Sequence, residues 1–216
     1  MSFLNDKTIQ EQLDRFIGPL ESDERGKDGR PKGLQPSSYE LRLGEEVFLS
    51  SEKKLVRLGQ NQFETAIKPG DFAILLTYES VTIPPDLMAL ISIKTSFKNM
   101  GLVNISGFHV DPGWKGKLTF SVYNAGPGEI ILRYKEFTFI IFLIRLVDEC
   151  EKPYDGEHQN QDQIPSRAMN MLTGKPVSPF ELESKLQKLE HYVKIQWGLL
   201  VALTIGLMVA FIKALL

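Results

Sequence analysis

The chain has 216 residues, 43% of them hydrophobic, a formal charge of −2 and one cysteine. That length carries one well-buried domain and an appendage, not two ordinary domains, and the near-neutral charge lacks the basic face that a nucleic-acid partner requires. Cys150 alone excludes an internal disulfide, and the opening "MSFLNDKTIQEQLDRF" is charged and amphipathic, unlike a cleavable signal, so a reducing, cytoplasmic setting is expected for the folded part.

Ile9, Leu13, Phe16 and Ile17 recur at helical spacing and predict a short helix over residues 6–16. The polar run "ESDERGKDGRPKG" reads as a loop. From Gln35 to Val147 the texture changes to short runs rich in β-branched and aromatic residues, punctuated by Pro and Gly, such as "FAILLTYESVTI", "LTFSVYNAG" and "FTFIIFLIRL". Without crossover helices between them, they predict a mainly β barrel or sandwich and disfavour a doubly wound sheet.

After Val147 the chain turns polar, and "DECEKPYDGEHQNQDQIPSRAMN" reads as the start of a flexible linker over residues 149–177. In "SPFE", Ser178 is placed to cap a helix, Pro179 fits its first position and Glu181 closes a capping box. The predicted amphipathic helix, residues 178–194, carries Leu182, Leu186, Leu189 and Val193 on one face. That seam either pairs with copies of itself or lies against the barrel or lipid headgroups.

Residues 195–216 are read as a transmembrane helix. Ile195 to Ile212, "IQWGLLVALTIGLMVAFI", holds no charge and spans about 27 Å at about 1.5 Å per residue, close to a hydrocarbon core of about 30 Å. Trp197 sits where an interfacial aromatic belongs, Lys213 reaches the far headgroups, and Lys185, Lys188 and Lys194 lie on the near side. The expectation is a single-pass membrane protein with a C-terminal anchor and its domain of residues 1–148 in the cytoplasm. The other reading, a buried helix of a soluble oligomer, ordinarily brings a polar stripe.

Several chemistries lack their residues. One cysteine and the scattered His109, His158 and His191 cannot supply the closely spaced ligands of a zinc site. No GxxxxGK[ST] loop, GxGxxG turn or GxSxG elbow occurs.

Three segments, in order, resemble the dCTP deaminase and trimeric dUTPase superfamily. They are "LQPSSYELRLG" (34–44), "KPGDFAILLTYESVTIPPDLMALISIKTSFKNMGL" (68–102) and "HVDPGWKGKLTFSVYNAG" (109–126). The resemblance implies a distorted β-barrel of the dUTPase/dCTP deaminase type, with sites between the subunits of a homotrimer. It also implies a pyrimidine deoxynucleoside triphosphate as ligand, no zinc, and Mg2+ arriving through the triphosphate. In the deaminases a glutamate activates water against the 4-position of cytosine. In the dUTPases a hairpin aspartate orients water against the α-phosphate.

By the same resemblance Lys94, Thr95 and Ser96 stand where the family has Arg-Ser-Ser and hold the triphosphate, with a point charge replacing a bidentate fork. Asp111 matches the hairpin aspartate and is the catalytic candidate of an active enzyme; Trp114 and Tyr123 complete the nucleotide-binding group. Two family positions are lost: Asn99 replaces an arginine near the reacting centre, and Ser121 replaces the water-activating glutamate. A serine cannot take over from a carboxylate that moves protons near pH 7. The dUTPase branch is also poorly matched, since Trp114 stands for its corner tyrosine, "FTFIIF" for its glutamine strand, and a linker for its glycine-rich arm. Glu40 is either an indirect aid to a metal or a surface carboxylate. The leading expectation is a membrane-anchored nucleotide-binding protein with a degraded catalytic site, a sensor or effector. Beside it stand an active dCTP deaminase or dUTPase and a non-binding trimerisation module.

Overall fold

Asn5 starts the first helix by accepting a hydrogen bond from the Thr8 N–H through its side-chain oxygen, at 3.0 Å. The computed structural model describes residues 2–18, 25–171 and 179–215. In it the helix expected over residues 6–16 is two, α1 (Asp6–Glu11) and α2 (Leu13–Phe16), behind a short strand β1 (Ser2–Phe3). Gln12, at φ −119°, is the joint. The break lets Ile9, Leu13 and Phe16 all turn into the core, none more than 2% exposed.

Twelve further strands follow: β2 (Ile17–Gly18), β3 (Leu34–Gln35), β4 (Ser38–Leu49), β5 (Lys54–Arg57), β6 (Glu64–Ile67), β7 (Phe72–Thr82), β8 (Leu87–Ile93), β9 (Leu102–Asn104), β10 (His109–Val110), β11 (Lys115–Asn124), β12 (Ile130–Arg133) and β13 (Phe137–Arg145). A five-residue helix, α3 (Thr95–Asn99), joins β8 to β9. The main ladder runs β10-β8-β13-β4-β7-β11-β9, and β6 pairs separately with β12. Two strands, β4 and β7, separate Phe120 on β11 from Phe139 on β13 in that ladder, yet their rings stack with centroids 4.1 Å apart. Only a sheet curled on itself brings them face to face. The fold is therefore the expected mainly β, curled half-barrel, with short N-terminal helices and a long C-terminal one.

Along β11 the side chains alternate as a strand requires: Leu118, Phe120 and Val122 fill the interior, while Thr119, Ser121 and Tyr123 share the half-buried outer face. Glu79 on β7 is a buried carboxylate, 1% exposed and held by Arg42 of β4, whose Nε donates to it at 2.6 Å. The Arg42 main-chain N–H donates to the other carboxylate oxygen at 2.8 Å. This pair lies just beyond the Leu43–Thr77 partners, outside the register shift that runs from Leu43 to Val47, and the carboxylate gives the Arg42 N–H its acceptor.

Residues 150–164, inside the stretch expected to be a linker, are hydrogen-bonded to the β domain. Tyr154 N donates to Pro112 O at 2.8 Å, Asn160 N to Lys115 O at 2.7 Å, and Lys117 N to Gln161 O at 2.7 Å. Gln159 bridges the same corner, accepting from Lys115 N and donating to Gly113 O, each at 2.8 Å. Residues 150–164 thus form a strap along the first residues of β11, an edge that β9 does not reach because it pairs only with Val122–Asn124. The strap ends on Ile164, 4% exposed against Phe48, Ile74 and Leu76, with its N–H on Glu46 Oε2 at 2.8 Å. Burying such a side chain contributes about 1.5–3 kcal/mol. Composition misleads here because Tyr154 and Ile164 are the few apolar anchors in an otherwise polar run.

Helix α4 (Ser166–Met171) follows, and α5 (Pro179–Leu215) is one unbroken helix of 37 residues. Residues Met1–Pro176 and Val177–Leu216 form separate compact units. The cap expected at Ser178 lies outside the described residues. Within α5, Ser184–Ala214 is long and apolar enough to cross a membrane.

Candidate functional site

The Asp-Pro-Gly-Trp corner is built by the backbone. Gly113 N donates to Ile83 O at 2.7 Å and Trp114 O accepts from Ile83 N at 2.8 Å, pinning the turn to the end of β7. Gly113 takes φ 89°, a conformation that glycine adopts without strain. Space there is filled as well: a Cβ on Gly113 would lie 2.5 Å from Pro153 Cβ, and one on Gly116 2.7 Å from Gln161 N. Both glycines admit the strap.

Beside this corner lies a pocket of about 240 Å3, lined by Ser106, His109, Asp111, Trp114, Thr119 and Tyr154 together with aliphatic side chains of β8 and β11. Trp114 and Tyr154 form one wall, ring centroids 5.2 Å apart at 45°. Asp111 is half exposed and stands 3.5 Å from His109 Nε2. Several hydrogen-bonding side chains against two aromatic faces suit a planar, polar ring. Among the described residues no group of three or more His, Cys, Asp or Glu is gathered for a metal, and Asp111 is the one carboxylate among the pocket's residues.

The residues anticipated from sequence divide into groups. Asp111 and Trp114 line the pocket. Ser121 lies two residues beyond Thr119 on the same outer face of β11, roughly 7 Å further along the strand, and its carbonyl accepts from Ile105 N at 2.9 Å. Tyr123 is farther still, packed on Phe72 with centroids 4.7 Å apart. Thr95, Ser96 and Asn99 are exposed on α3, and Lys94 is the residue that precedes it. Lys94 Nζ is engaged by Glu40 Oε2 at 2.8 Å and lies 5.8 Å from the Phe137 ring. Within one chain, then, the α3 group and the corner are not gathered into one pocket. Thr119, Ser106 and Tyr154 were not anticipated. Thr119 was signalled by the alternation of β11, and Tyr154 by a lone aromatic in a polar run.

Residues 3–136 match the dCTP deaminase-like family model. The dCTP deaminase of Pyrococcus abyssi is 35% identical over 133 residues, covering 62% of this chain and 84% of its own. The dUMP-forming dCTP deaminase of Methanosphaera stadtmanae is 26% identical over 183 residues, covering 75% of this chain and 87% of its own. The crystal structure of the Agrobacterium tumefaciens 2'-deoxycytidine 5'-triphosphate deaminase superposes with a TM-score of 0.50 at 20% identity, over 65% of this chain and 47% of that one, and supports the fold. The curled β domain and this family match agree with each other. The chain belongs to the dCTP deaminase-like family.

Proposed function

We propose that the protein binds a pyrimidine deoxynucleoside triphosphate beside Asp111 and Trp114 without deaminating it, and that α5 anchors it in a membrane as a nucleotide sensor or effector. The observation that carries the reading is Ser121. It occupies the β11 position at which the resemblance places the water-activating glutamate, and a neutral hydroxyl cannot cycle a proton at that point. Lys94, Thr95 and Ser96 hold the triphosphate in this reading, Mg2+ accompanies the phosphates, and Tyr123 and Asn99 mark the rest of the family's site. Because α3 and the corner do not meet within one chain, the complete site requires residues from neighbouring copies in a homotrimer. Exposed Ile105 and Phe108, next to the pocket residues Ser106 and His109, suit such a contact. In this reading residues 195–216 are the anchor, supported by the long apolar helix Ser184–Ala214, with the N-terminal unit on the cytoplasmic side.

The second reading, an active dCTP deaminase or dUTPase, is favoured by the His109–Asp111 contact at 3.5 Å, which leaves an imidazole in the pocket to act as a base. Incubation with dCTP and with dUTP, each with Mg2+, followed by product separation, decides between them. Both nucleotides are expected back unchanged. Ammonia from dCTP or pyrophosphate from dUTP at an enzyme-like rate, abolished in Asp111→Ala, would replace the first reading with the second.

A further inference from the structure

Helix α5 carries a seam that does not stop where the membrane-spanning stretch begins. Leu182, Leu186, Leu189, Val193, Gln196, Leu200, Leu203 and Leu207 follow one another at alternating spacings of four and three residues on an unbroken helix. That period is the 3.5-residue repeat of a left-handed coiled coil, with Leu186, Val193, Leu200 and Leu207 at a positions and the others at d. The described seam side chains are exposed in the single chain.

Two independent features indicate what covers the seam. The first is charge. Lys185 falls at g and Glu190 at the e position of the next heptad, the pair that faces across two parallel strands in register and would be lost in an antiparallel or shifted pairing. Ser184, Gln187, Lys188, His191 and Lys194 occupy the outer b, c and f positions. The second is Gln196. From there to Ile212, Thr204 is the one polar side chain, so periodicity alone picks out no face, but the amide lies on the seam set by the preceding heptads. At the edge of a hydrocarbon layer such an amide gains by hydrogen bonding to its counterpart on a neighbouring helix.

We infer that α5 self-associates in parallel with further copies of this chain, in register along this seam from Leu182 to Leu207, with Gln196 as a polar layer at the membrane entry. The inference deepens the proposed anchoring and rests on it, because copies inserted by the same anchor share one orientation.

Same-residue disulfides test the arrangement, since they form only where equivalent Cα atoms approach within about 7 Å. The full chain carries Cys150→Ser and one new cysteine. Seam positions are Leu186→Cys, Leu189→Cys, Leu200→Cys and Leu203→Cys; outer positions are Lys188→Cys, His191→Cys, Val201→Cys and Ile205→Cys. Membranes are isolated, oxidised and resolved without reductant. Cross-linked product severalfold above the outer positions at all four seam positions, without nucleotide, is expected. Equal yields on all faces, no cross-linking, or a period that ends before Leu200 would overturn the seam. Recovery of the chain outside the membrane pellet would instead remove the anchoring, and the seam yields then read self-association by itself.

Discussion

Tyr154 and Gly113 are fitted to each other: a Cβ at Gly113 would stand 2.7 Å from Tyr154 N, while that same N–H donates to the neighbouring Pro112 carbonyl at 2.8 Å. The strap is thus seated on the corner that forms the pocket, and it supplies one aromatic wall. Gly113→Ala is expected to strain a left-handed residue and push the strap away together, costing about 1–3 kcal/mol for the backbone term alone. Thermal unfolding combined with limited proteolysis around Gly156 reads both effects. A variant as stable and as resistant as the parent would mean that the strap does not depend on this contact.

The far end of the strap is held by Ile164. Ile164→Ala leaves a hole among Phe48, Ile74 and Leu76 and is expected to cost about 2–5 kcal/mol, toward the lower end because the cluster is small. Hydrogen exchange should then quicken at the Lys117 amide, whose acceptor is the strap carbonyl of Gln161. Loss of stability with Lys117 still protected would separate Ile164 from the strap.

The buried Arg42–Glu79 pair gives a pH signature. Burial pushes the Glu79 carboxyl above its ordinary value, opposed by the hydrogen bonds and charge of Arg42. The folded state then holds that proton more tightly than the unfolded chain. Its contribution is complete below the ordinary carboxylate value and is lost as pH rises through the raised one. Relative to Glu79→Gln, the Tm of the wild type is expected to fall over that window; a rise would mean that Arg42 outweighs burial. Arg42→Met leaves the carboxylate buried without its partner and is expected to cost about 3–5 kcal/mol.

Glu40 holds the cation assigned to the triphosphate, 2.8 Å from Lys94 Nζ. In the proposed function a polyphosphate must compete with this carboxylate. Glu40→Gln is expected to tighten binding of dCTP and to steepen its salt dependence, whereas Lys94→Ala weakens it. Calorimetric titration at two ionic strengths checks the pair, and identical affinities in all three proteins would remove Lys94 from the site.

The barrel was legible in the sequence because β-branched runs and Pro-Gly punctuation report local strand geometry, and the Asp111–Trp114 corner because its turn chemistry is local too. What was not legible depended on distant partners. Tyr154 meets Trp114, and Ile164 meets Ile74, across spans that no local pattern records, and their polar neighbours carry the signature of a linker. Glu79 left a trace, an acid on the inward face of an apolar strand, but its partner Arg42 lies 37 residues earlier in the chain. The engagement of Lys94 by Glu40 was likewise hidden, because a strand carboxylate and a loop lysine look solvent-facing when each is read alone.

Nucleotide binding beside Asp111 is read by the stabilisation of the full chain by dCTP with Mg2+, measured as the shift in unfolding temperature of the wild type against Asp111→Ala. A nucleotide at a hundred times its Kd adds about 2.7 kcal/mol to the folded state. A clear upward shift is expected in the wild type, strongly reduced in Asp111→Ala. No shift in the wild type, or the same shift in both proteins, would contradict it.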